Sequence, residues 1–392
     1  MEEWKEYKLI DVLDKLIDYR GKTPKKTSSG VPLITAKIIK NGRIETPTEF
    51  ISVEDYDSWM VRGFPKVGDV VLTTEAPLGE VAQLDNDNVA LAQRVVTLRG
   101  KVGLLDNTYL KYYLMSNVGQ QRLKARETGT TVTGIKQSEL REVLVDCPPY
   151  EFQQKIASVL KSLDDKIEVN RQINDNLEQQ AQAAFDELIM DEELPRTKFL
   201  KDYAFVNPSR TIKKGEVKRY IDMSSLPTQG SFPSDWINKP YNGGMKFQNG
   251  DTIMARITPC LENGKTAYIN FLEKDEIAYG STEYIVMTPQ NGMPSEMFYF
   301  LARNEDFVSY AVAHMNGSSG RQRVSATDIE NYIMPDIPTQ SIELFGKKTN
   351  AVMECIKNNS FENRKLAILR DTLLPKLMSG ELKVFDKPND QS

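Results

Sequence analysis

Two stretches of the chain carry apolar residues in a heptad repeat, which predicts two long α-helices. Steps of four and three alternate from Ile156 to Leu188 and again from Phe345 to Leu377. A helix of about 40 residues is about 60 Å long, too long for one small domain to cover. Pro375 is expected to end or kink the second helix. We call these positions the two seams: Ile156, Leu160, Leu163, Ile167, Asn170, Asn174, Leu177, Ala181, Ala184 and Leu188, then Phe345, Thr349, Val352, Ile356, Asn359, Asn363, Leu366, Arg370, Leu373 and Leu377.

The second seam repeats the first at one constant spacing along the chain, and each contains two asparagines at the same relative places. Buried asparagine at a seam lowers stability but fixes the register of paired helices. If the helices pack antiparallel about a pseudo-two-fold axis, Asn170 faces Asn363 and Asn174 faces Asn359. The alternative is two independent amphipathic helices, each packed on its own domain. The matched asparagines favour the paired arrangement.

The segments that precede the helices also repeat each other. Gly68–Leu72 resembles Gly250–Met254, and Ile135 and Val324 are separated by the same spacing as the two seams. Each segment carries β-branched and aromatic runs that predict strands and one packing helix, so we expect mixed α/β (α+β) lobes. The predicted fold is two such lobes with an antiparallel coiled coil. The predicted divisions are lobe one (1–148), a first long helix (149–193), lobe two (194–338) and a second long helix (339–392).

Composition restricts the class of protein. The 392 residues predict more than one domain, and no run approaches the roughly 18 apolar residues of a membrane span. The charged N-terminus does not resemble a signal peptide. Cys147, Cys260 and Cys355 are far apart, as expected of reduced thiols in a soluble cytoplasmic protein. His314 is the only histidine, which argues against a zinc site or a Ser-His-Asp triad.

The net charge of −5 argues at first against a nucleic-acid partner. The acidity is local, however: residues 151–193 carry 4 Lys or Arg against 11 Asp or Glu, whereas residues 1–145 carry 21 against 20. Binding of DNA requires a local basic excess only. One such excess runs from Arg20 to Arg43 without an acidic residue. It predicts either a DNA-contacting segment or a solvated lysine-rich loop, and the sequence favours neither.

Residues 146–150, Asp-Cys-Pro-Pro-Tyr, are close to the Asp/Asn-Pro-Pro-Tyr motif of adenine methyltransferases. That motif holds the exocyclic amine of a flipped base and stacks a tyrosine on it. Cys147 stands where the hydrogen-bond acceptor belongs, and no glycine-rich cofactor turn precedes the motif. Prolines are tolerated in a first helical turn and Glu151 suits the helix dipole, so we interpret the motif as a helix start.

The order and duplication of these motifs resemble the specificity subunits of Type I restriction-modification enzymes. Residues 373–382 (LLPKLMSGEL) look like the end of that family, and 148–156 (PPYEFQQKI) like its first helix start. Residues 68–73 and 320–325 resemble motifs within its recognition domains. The likeness covers essentially the whole chain. One departure is that Asp336-Ile337-Pro338 keeps only one proline, and residues 340–345 match weakly.

The resemblance implies a non-catalytic subunit that binds double-stranded DNA at a split, asymmetric target. Two modification subunits carrying S-adenosylmethionine would methylate adenine at N6, and restriction subunits would cut DNA with ATP and Mg. No cofactor or metal is expected on this chain. A non-catalytic coiled-coil scaffold and a stand-alone DNA methyltransferase are the alternatives.

The candidate DNA-contacting residues are basic or hydroxylic side chains in loops or directly after strands. In lobe one they are Arg20, Lys22, Thr23, Lys25, Lys26, Lys37, Thr74, Thr131, Thr133 and Lys136; in lobe two, Arg210, Lys213, Lys214, Arg256, Thr258, Ser318, Ser319, Arg321 and Arg323. For the glycine-rich loop 317–320, an ordinary flexible turn is the alternative.

Overall fold

The computed structural model describes residues 4–129, 133–190, 193–290, 292–318 and 320–384. The chain forms two compact units, Met1–Asp165 with Leu366–Ser392 (unit 1) and Lys166–Lys365 (unit 2). Each unit therefore contains one lobe with parts of both long helices. The predicted division into two lobes and two long helices gives the order of these segments along the chain, whereas each compact unit combines a lobe with parts of both helices.

Unit 1 contains short strands and helices followed by the start of the first long helix. The strands are β1 (Lys5–Lys8), β2 (Leu13–Asp18), β3 (Lys26–Thr27), β4 (Val31–Ile34), β5 (Ile39–Lys40), β6 (Arg43–Ile44), β7 (Phe50–Ile51), β8 (Val70–Thr74), β9 (Leu78–Gln83), β10 (Ala90–Leu91), β11 (Val95–Gly100) and β12 (Leu144–Cys147). The helices are α1 (Leu9–Val12), α2 (Val53–Trp59), α3 (Asn107–Met115), α4 (Asn117–Lys124), α5 (Gln137–Arg141) and α6 (Tyr150–Ile189), whose residues 150–165 belong here.

Lobe one contains two four-stranded sheets and the two-stranded pairs β1-β12 and β5-β6. The first has the order β2-β11-β8-β9 and is antiparallel; the second has the order β10-β4-β7-β3, with β4 and β10 parallel. All five residues of β8 are buried, as expected for a central strand covered on both faces. Helix α3 packs on the first sheet, and its tyrosines 109, 112 and 113 are buried with Leu374 and Leu377 in one core.

Unit 2 repeats this plan. Its strands are β13 (Lys198–Phe199), β14 (Ala204–Val206), β15 (Val217–Ile221), β16 (Ile237–Pro240), β17 (Lys246–Phe247), β18 (Thr252–Ala255), β19 (Thr266–Tyr268), β20 (Ala278–Gly280), β21 (Tyr284–Pro289) and β22 (Ile333–Met334). Its helices are α7 (Met297–Leu301), α8 (Glu305–Ala313), α9 (Ala326–Glu330) and α10 (Thr339–Met378), whose residues 366–378 belong to unit 1.

The sheet order β14-β21-β18-β19 in lobe two matches β2-β11-β8-β9 in lobe one, again antiparallel. The second sheet, β16-β15-β20-β17, also contains one parallel pair, β15 with β20. The mixed α/β fold, the long helices and the internal repeat are therefore confirmed. Pro375 does not end α10, which continues to Met378.

The two long helices run antiparallel. In unit 2, Asn170 of α6 contacts Asn363 of α10, and Asn174 contacts Asn359, so residue numbers rise along one helix as they fall along the other. In unit 1, the Arg370 guanidinium donates to the Asp164 carboxylate at 2.8 Å. The second seam is less apolar than the first because Arg370 occupies a seam position, where this ion pair satisfies its charge.

Candidate nucleic-acid interface

The Gly-Asp motif of each lobe forms a tight turn around a buried carboxylate. Gly68 has φ +88° and Gly250 has φ +90°, in the left-handed region that favours glycine. In lobe one, Asp69 is 1% exposed and accepts from Arg99 Nε and one Nη, both at 2.7 Å. This bidentate pair offsets the free-energy cost of burying the charged carboxylate. The motif therefore holds the strand that leads to the candidate site.

In lobe two the equivalent carboxylate, Asp251, pairs with an arginine from a different part of the chain. Position 288, which corresponds to Arg99 at the spacing of the repeat, is a threonine, and Arg210 instead reaches Asp251 with N–O distances of 2.9 Å. The Arg210 side chain is only 8% exposed and also donates to Thr288 Oγ1 at 3.0 Å. Arg210 was predicted to contact DNA. The structure removes it from the candidate surface because its guanidinium is buried in this pair.

The loops that carry the other candidates in lobe one lie side by side, next to the end of β8. Ile135 N–H donates to the Thr74 carbonyl at 2.9 Å, and an Arg20 Nη donates to the Ile135 carbonyl. Thr23 Oγ1 donates to Gln93 at 3.1 Å. The basic loop after β2 and the loop that ends at Lys136 are therefore neighbours. Exposed side chains around them are Lys22, Thr23, Lys25, Lys26, Thr133 and Lys136.

Two further arginines belong to this surface and were missed by the sequence analysis. Arg62 donates to the carbonyls of Asp18 and Arg20, and Arg94 pairs with Glu75 at 2.8 Å. Both are exposed. Each stands alone in the sequence among apolar or neutral residues, so no local charge pattern indicates them.

Some candidates in lobe one are less accessible than expected. Thr74 is 1% exposed and its hydroxyl donates to the Arg94 carbonyl, so its side chain is withdrawn from the candidate surface. The Arg20 guanidinium pairs with the buried Asp18 at 2.8 Å, which indicates a role in holding the loop. Lys26 pairs with Glu49. Lys37 is exposed in a 3-10 turn, Ala36–Ile38. Thr131 and Ser319 lie outside the described residues.

Lobe two has the corresponding contact, between the end of β18 and the loop that leads to α9. We call this contact, and its equivalent between the end of β8 and the loop that leads to α5, the junction of each lobe. Val324 N–H donates to the Arg256 carbonyl at 3.0 Å, as Ile135 does to Thr74, and Thr258 N–H donates to the Gln322 carbonyl at 3.0 Å. Arg323 binds Glu283 through two hydrogen bonds of 2.8 Å, which hold the pKa of Glu283 below its usual value. Among the described residues, the buried Nε of Arg256 has no hydrogen-bond acceptor. Ser318 and Arg321 are exposed on the adjoining loop, and Lys213 and Lys214 are exposed after β14.

The charges at the two junctions are reversed. Arg94 in lobe one precedes β11, and Glu283, its counterpart at the spacing of the repeat, precedes the equivalent β21. Their partners are Glu75 and Arg323. The framework is the same, yet a ligand at each junction meets a different arrangement of donors and acceptors.

The Asp146-Cys147-Pro148-Pro149-Tyr150 segment joins β12 to α6. Cys147 is buried, and the Asp146 carboxylate accepts from Arg122 at 3.1 Å. The Asp146 carbonyl accepts from Tyr109 Oη at 2.6 Å. These contacts are those of a helix start packed on its lobe, in agreement with that interpretation.

Within the described ranges, no group of three or more His, Cys, Asp or Glu side chains could hold a metal ion. Over the same part of the chain, none of the helices has the length and apolar character needed to cross a bilayer.

Comparison with known proteins gives a consistent result. Residues 1–179 match the family model for the Type I restriction modification DNA specificity domain. Residues 1–179 thus carry a Type I restriction-modification DNA specificity domain. The chain is 28% identical to the MjaIX specificity subunit of Methanocaldococcus jannaschii, over 90% of this chain and 87% of that protein. It is 21% identical to the HindI specificity subunit of Haemophilus influenzae, over 97% of this chain and 100% of that one.

A solved structure shows the same fold. The S subunit of the Type I restriction-modification system from M. genitalium matches with a TM-score of 0.56 at 17% sequence identity, over 96% of each chain. The specificity-subunit fold therefore extends over both lobes and both long helices.

Proposed function

We propose that this specificity subunit recognises a split, asymmetric DNA sequence, each lobe contacting one half. The reversed charges at the two junctions carry the proposal. A guanidinium donates hydrogen bonds to the major-groove edge of guanine, whereas a carboxylate accepts one from cytosine N4. Equivalent positions with Arg94 in one lobe and Glu283 in the other therefore favour different bases.

Recognition in lobe two centres on the Arg256, Thr258, Ser318, Arg321 and Arg323 surface. Arg256 presents a buried Nε without an acceptor among the described residues. Arg321 is exposed on the glycine-rich loop, and Val324, at the end of that loop, donates its N–H to the Arg256 carbonyl. In lobe one the exposed lysines after β2, with Thr23, Thr133 and Lys136, supply phosphate contacts. Such contacts fix orientation on the duplex without reading sequence.

The chain itself is the non-catalytic recognition subunit. Two modification subunits would bring S-adenosylmethionine and methylate adenine N6 after flipping the base, and restriction subunits would bring ATP and Mg. The acidic α6 offers a surface for these protein partners, because its charge repels phosphate. Cys147, Cys260 and Cys355 are free thiols, which is consistent with a cytoplasmic location.

The test is to map N6-methyladenine in genomic DNA from strains with and without this gene. Loss of one split motif, with methylated adenines in both halves, is expected and would give the target directly. An unchanged pattern, with the gene verified as expressed, would contradict the proposal and favour the scaffold alternative.

A further inference from the structure

The second sheet of lobe two presents a face rich in lysine and tyrosine. We call it the lysine–tyrosine face, and it consists of Lys218, Tyr220, Lys239, Tyr241 and Lys246. Lys218 on β15 lies directly opposite Lys239 on the antiparallel β16, so both side chains project from the same side of the sheet. Like charges directly opposite are destabilising. An anionic ligand would relieve this repulsion, which Glu216 already reduces by pairing with Lys218 at 2.9 Å.

Aromatic rings fix the positions of these lysines. Lys239 Nζ lies 4.3 Å from the centre of the Tyr220 ring, and Lys246 Nζ lies 5.3 Å from that of Tyr241. Both rings pack on Tyr279, with centroids 5.0 Å apart in each case. Tyr279 is 2% exposed and its hydroxyl donates to the Pro240 carbonyl at 2.9 Å, which holds β16. The cations are therefore preorganised, and less side-chain entropy is lost when they meet a ligand.

The face is continuous with the two loops beside it. The Lys213–Lys214 loop joins it because Gly215 N–H donates to the Tyr241 carbonyl at 2.8 Å. On its other side, Gly280 N–H donates to the Met245 carbonyl at 2.9 Å, and Glu283 N–H donates to Ser281 Oγ at 3.1 Å. Glu283 is the carboxylate that binds Arg323. One connected surface thus runs from the lysines to the junction of lobe two.

The charge of this surface is strongly positive. Residues 210–222 and 236–247 contain seven Lys or Arg and two acidic residues, Glu216 and Asp222. Glu216 pairs with Lys218 at 2.9 Å, and Asp222 accepts from Ser224 and Tyr220. Arg210 and Arg219 are compensated by Asp251 and Glu276. Lys246 is half-buried, and its Nζ donates to the Arg210 carbonyl at 2.7 Å. The exposed cations are Lys213, Lys214 and Lys239, and lysines bind phosphate as point charges.

We propose that the lysine–tyrosine face, with Lys213 and Lys214, binds the phosphate backbone of duplex DNA that flanks the bases contacted by the lobe-two junction. The proposal rests on the proposed function. Its role is to position the duplex, because lysines and tyrosine hydroxyls that contact phosphates carry no sequence information. Strand β16 is exposed along its whole length and such an edge also accepts peptide strands, but two cross-strand lysines favour a polyanion.

The test uses the full chain assembled with its modification subunits. Binding to target and non-target duplexes is measured over a range of salt concentrations for Lys214→Gln/Lys239→Gln. We expect the variant to bind both duplexes more weakly by the same factor, with the slope of log K against log salt reduced by about 2. The methylated motif should be unchanged. The matched control is Lys274→Gln/Lys347→Gln, which removes two exposed lysines of the same unit.

Three outcomes would overturn the proposal. An unchanged salt slope would show that these lysines contact no phosphate. Weakening confined to the target duplex would assign them to base recognition instead. Loss of assembly with the modification subunits would identify the face as a protein contact. A wild-type assembly that bound no DNA at all would overturn the proposed function as well, so the two failures are distinguishable.

Discussion

Asn170 Nδ2 donates to Asn363 Oδ1 at 2.9 Å across the two long helices. Asn170 is 1% exposed and also donates to the Glu362 carboxylate at 2.7 Å. One turn along, Asn359 Nδ2 donates to Asn174 Oδ1 at 2.8 Å. A shift of either helix would leave the buried Asn170 amide without its partners, at a cost of about 1–3 kcal/mol, and would also break the half-buried Asn359–Asn174 hydrogen bond. We therefore interpret these asparagines as register-setting residues.

Asn170→Ala should lower the free energy of unfolding by about 1–3 kcal/mol, because Asn363 Oδ1 and the Glu362 carboxylate lose the hydrogen bonds that the buried Asn170 amide donates to them. Urea denaturation followed by circular dichroism measures this. Asn176→Ala, an exposed position of the same helix, is the control and should change stability by less than about 0.5 kcal/mol. In a double-mutant cycle, strictly additive effects of Asn170→Ala and Asn363→Ala would contradict the register role.

Asp164→Asn should remove a pH-dependent contribution to stability in unit 1. Burial alone raises the pKa of Asp164, but Lys111, Tyr112 and Arg370 outweigh it, and the pKa lies below its usual 3.8. A carboxyl with a lowered folded-state pKa stabilises the fold above its unfolded pKa, and this stabilisation is lost as pH falls through the folded value. We expect Asp164→Asn to be about 2 kcal/mol less stable at pH 7.

The measurement is the urea midpoint between pH 7 and pH 3. The wild-type and Asp164→Asn curves should begin to converge as pH falls below about 3.8, the pKa of the unfolded chain, and the difference should shrink further as pH falls toward the lower pKa of the folded protein. Asp165→Asn, at a more exposed neighbour paired with Lys161, is the matched control. A difference that stayed constant across this pH range would mean that the charge of Asp164 does not contribute.

The periodic features of the chain were predictable from sequence, whereas the partners of single side chains were not. Alternating steps of three and four predict which face of α6 is buried, and the two facing asparagine pairs followed from this spacing. At the end of α6, however, Phe185 and Ile189 are the buried residues, each one position beyond the predicted seam residue. Arg210 was predicted to contact DNA as a basic residue in a loop, but it pairs with the buried Asp251, which lies far along the chain directly before β18. Likewise, no local sequence feature indicates that Arg99, on β11, pairs with the equivalent carboxylate Asp69 in lobe one.

Arg210→Ala should destabilise lobe two, because it leaves the Asp251 carboxylate buried without its cation. The expected loss is about 3 kcal/mol or more in the free energy of unfolding. Lys214→Ala, an exposed neighbour, should leave stability within about 0.5 kcal/mol of wild type while weakening DNA binding. Thermal denaturation and DNA binding are measured on both variants. An Arg210→Ala protein of wild-type stability would return Arg210 to the candidate DNA contacts.

Arg321→Ala should weaken binding without destabilising the chain. Its side chain is exposed, while its backbone N–H donates to the Ser318 carbonyl at 3.0 Å. If Arg321 contacts a base, we expect a loss of about 1–3 kcal/mol on the target and relaxed specificity at one position. If it contacts phosphate, binding should fall equally on all sequences. Unchanged affinity and specificity would remove Arg321 from the interface.

Exchange of the charges at the lobe-one junction tests the division of recognition between the lobes. The variant Glu75→Arg/Arg94→Glu keeps an ion pair where the wild-type N–O distance is 2.8 Å, so the exposed loop should retain its fold with stability changed by less than about 1 kcal/mol. The donor and acceptor positions offered to DNA are reversed. Mapping of N6-methyladenine in cells that carry this variant should therefore show a changed or lost first half of the motif. The half contacted by lobe two should be unchanged, because Glu283 and Arg323 are untouched. Simultaneous change in both halves, with the protein folded and assembled, would show that the lobes do not read their halves independently.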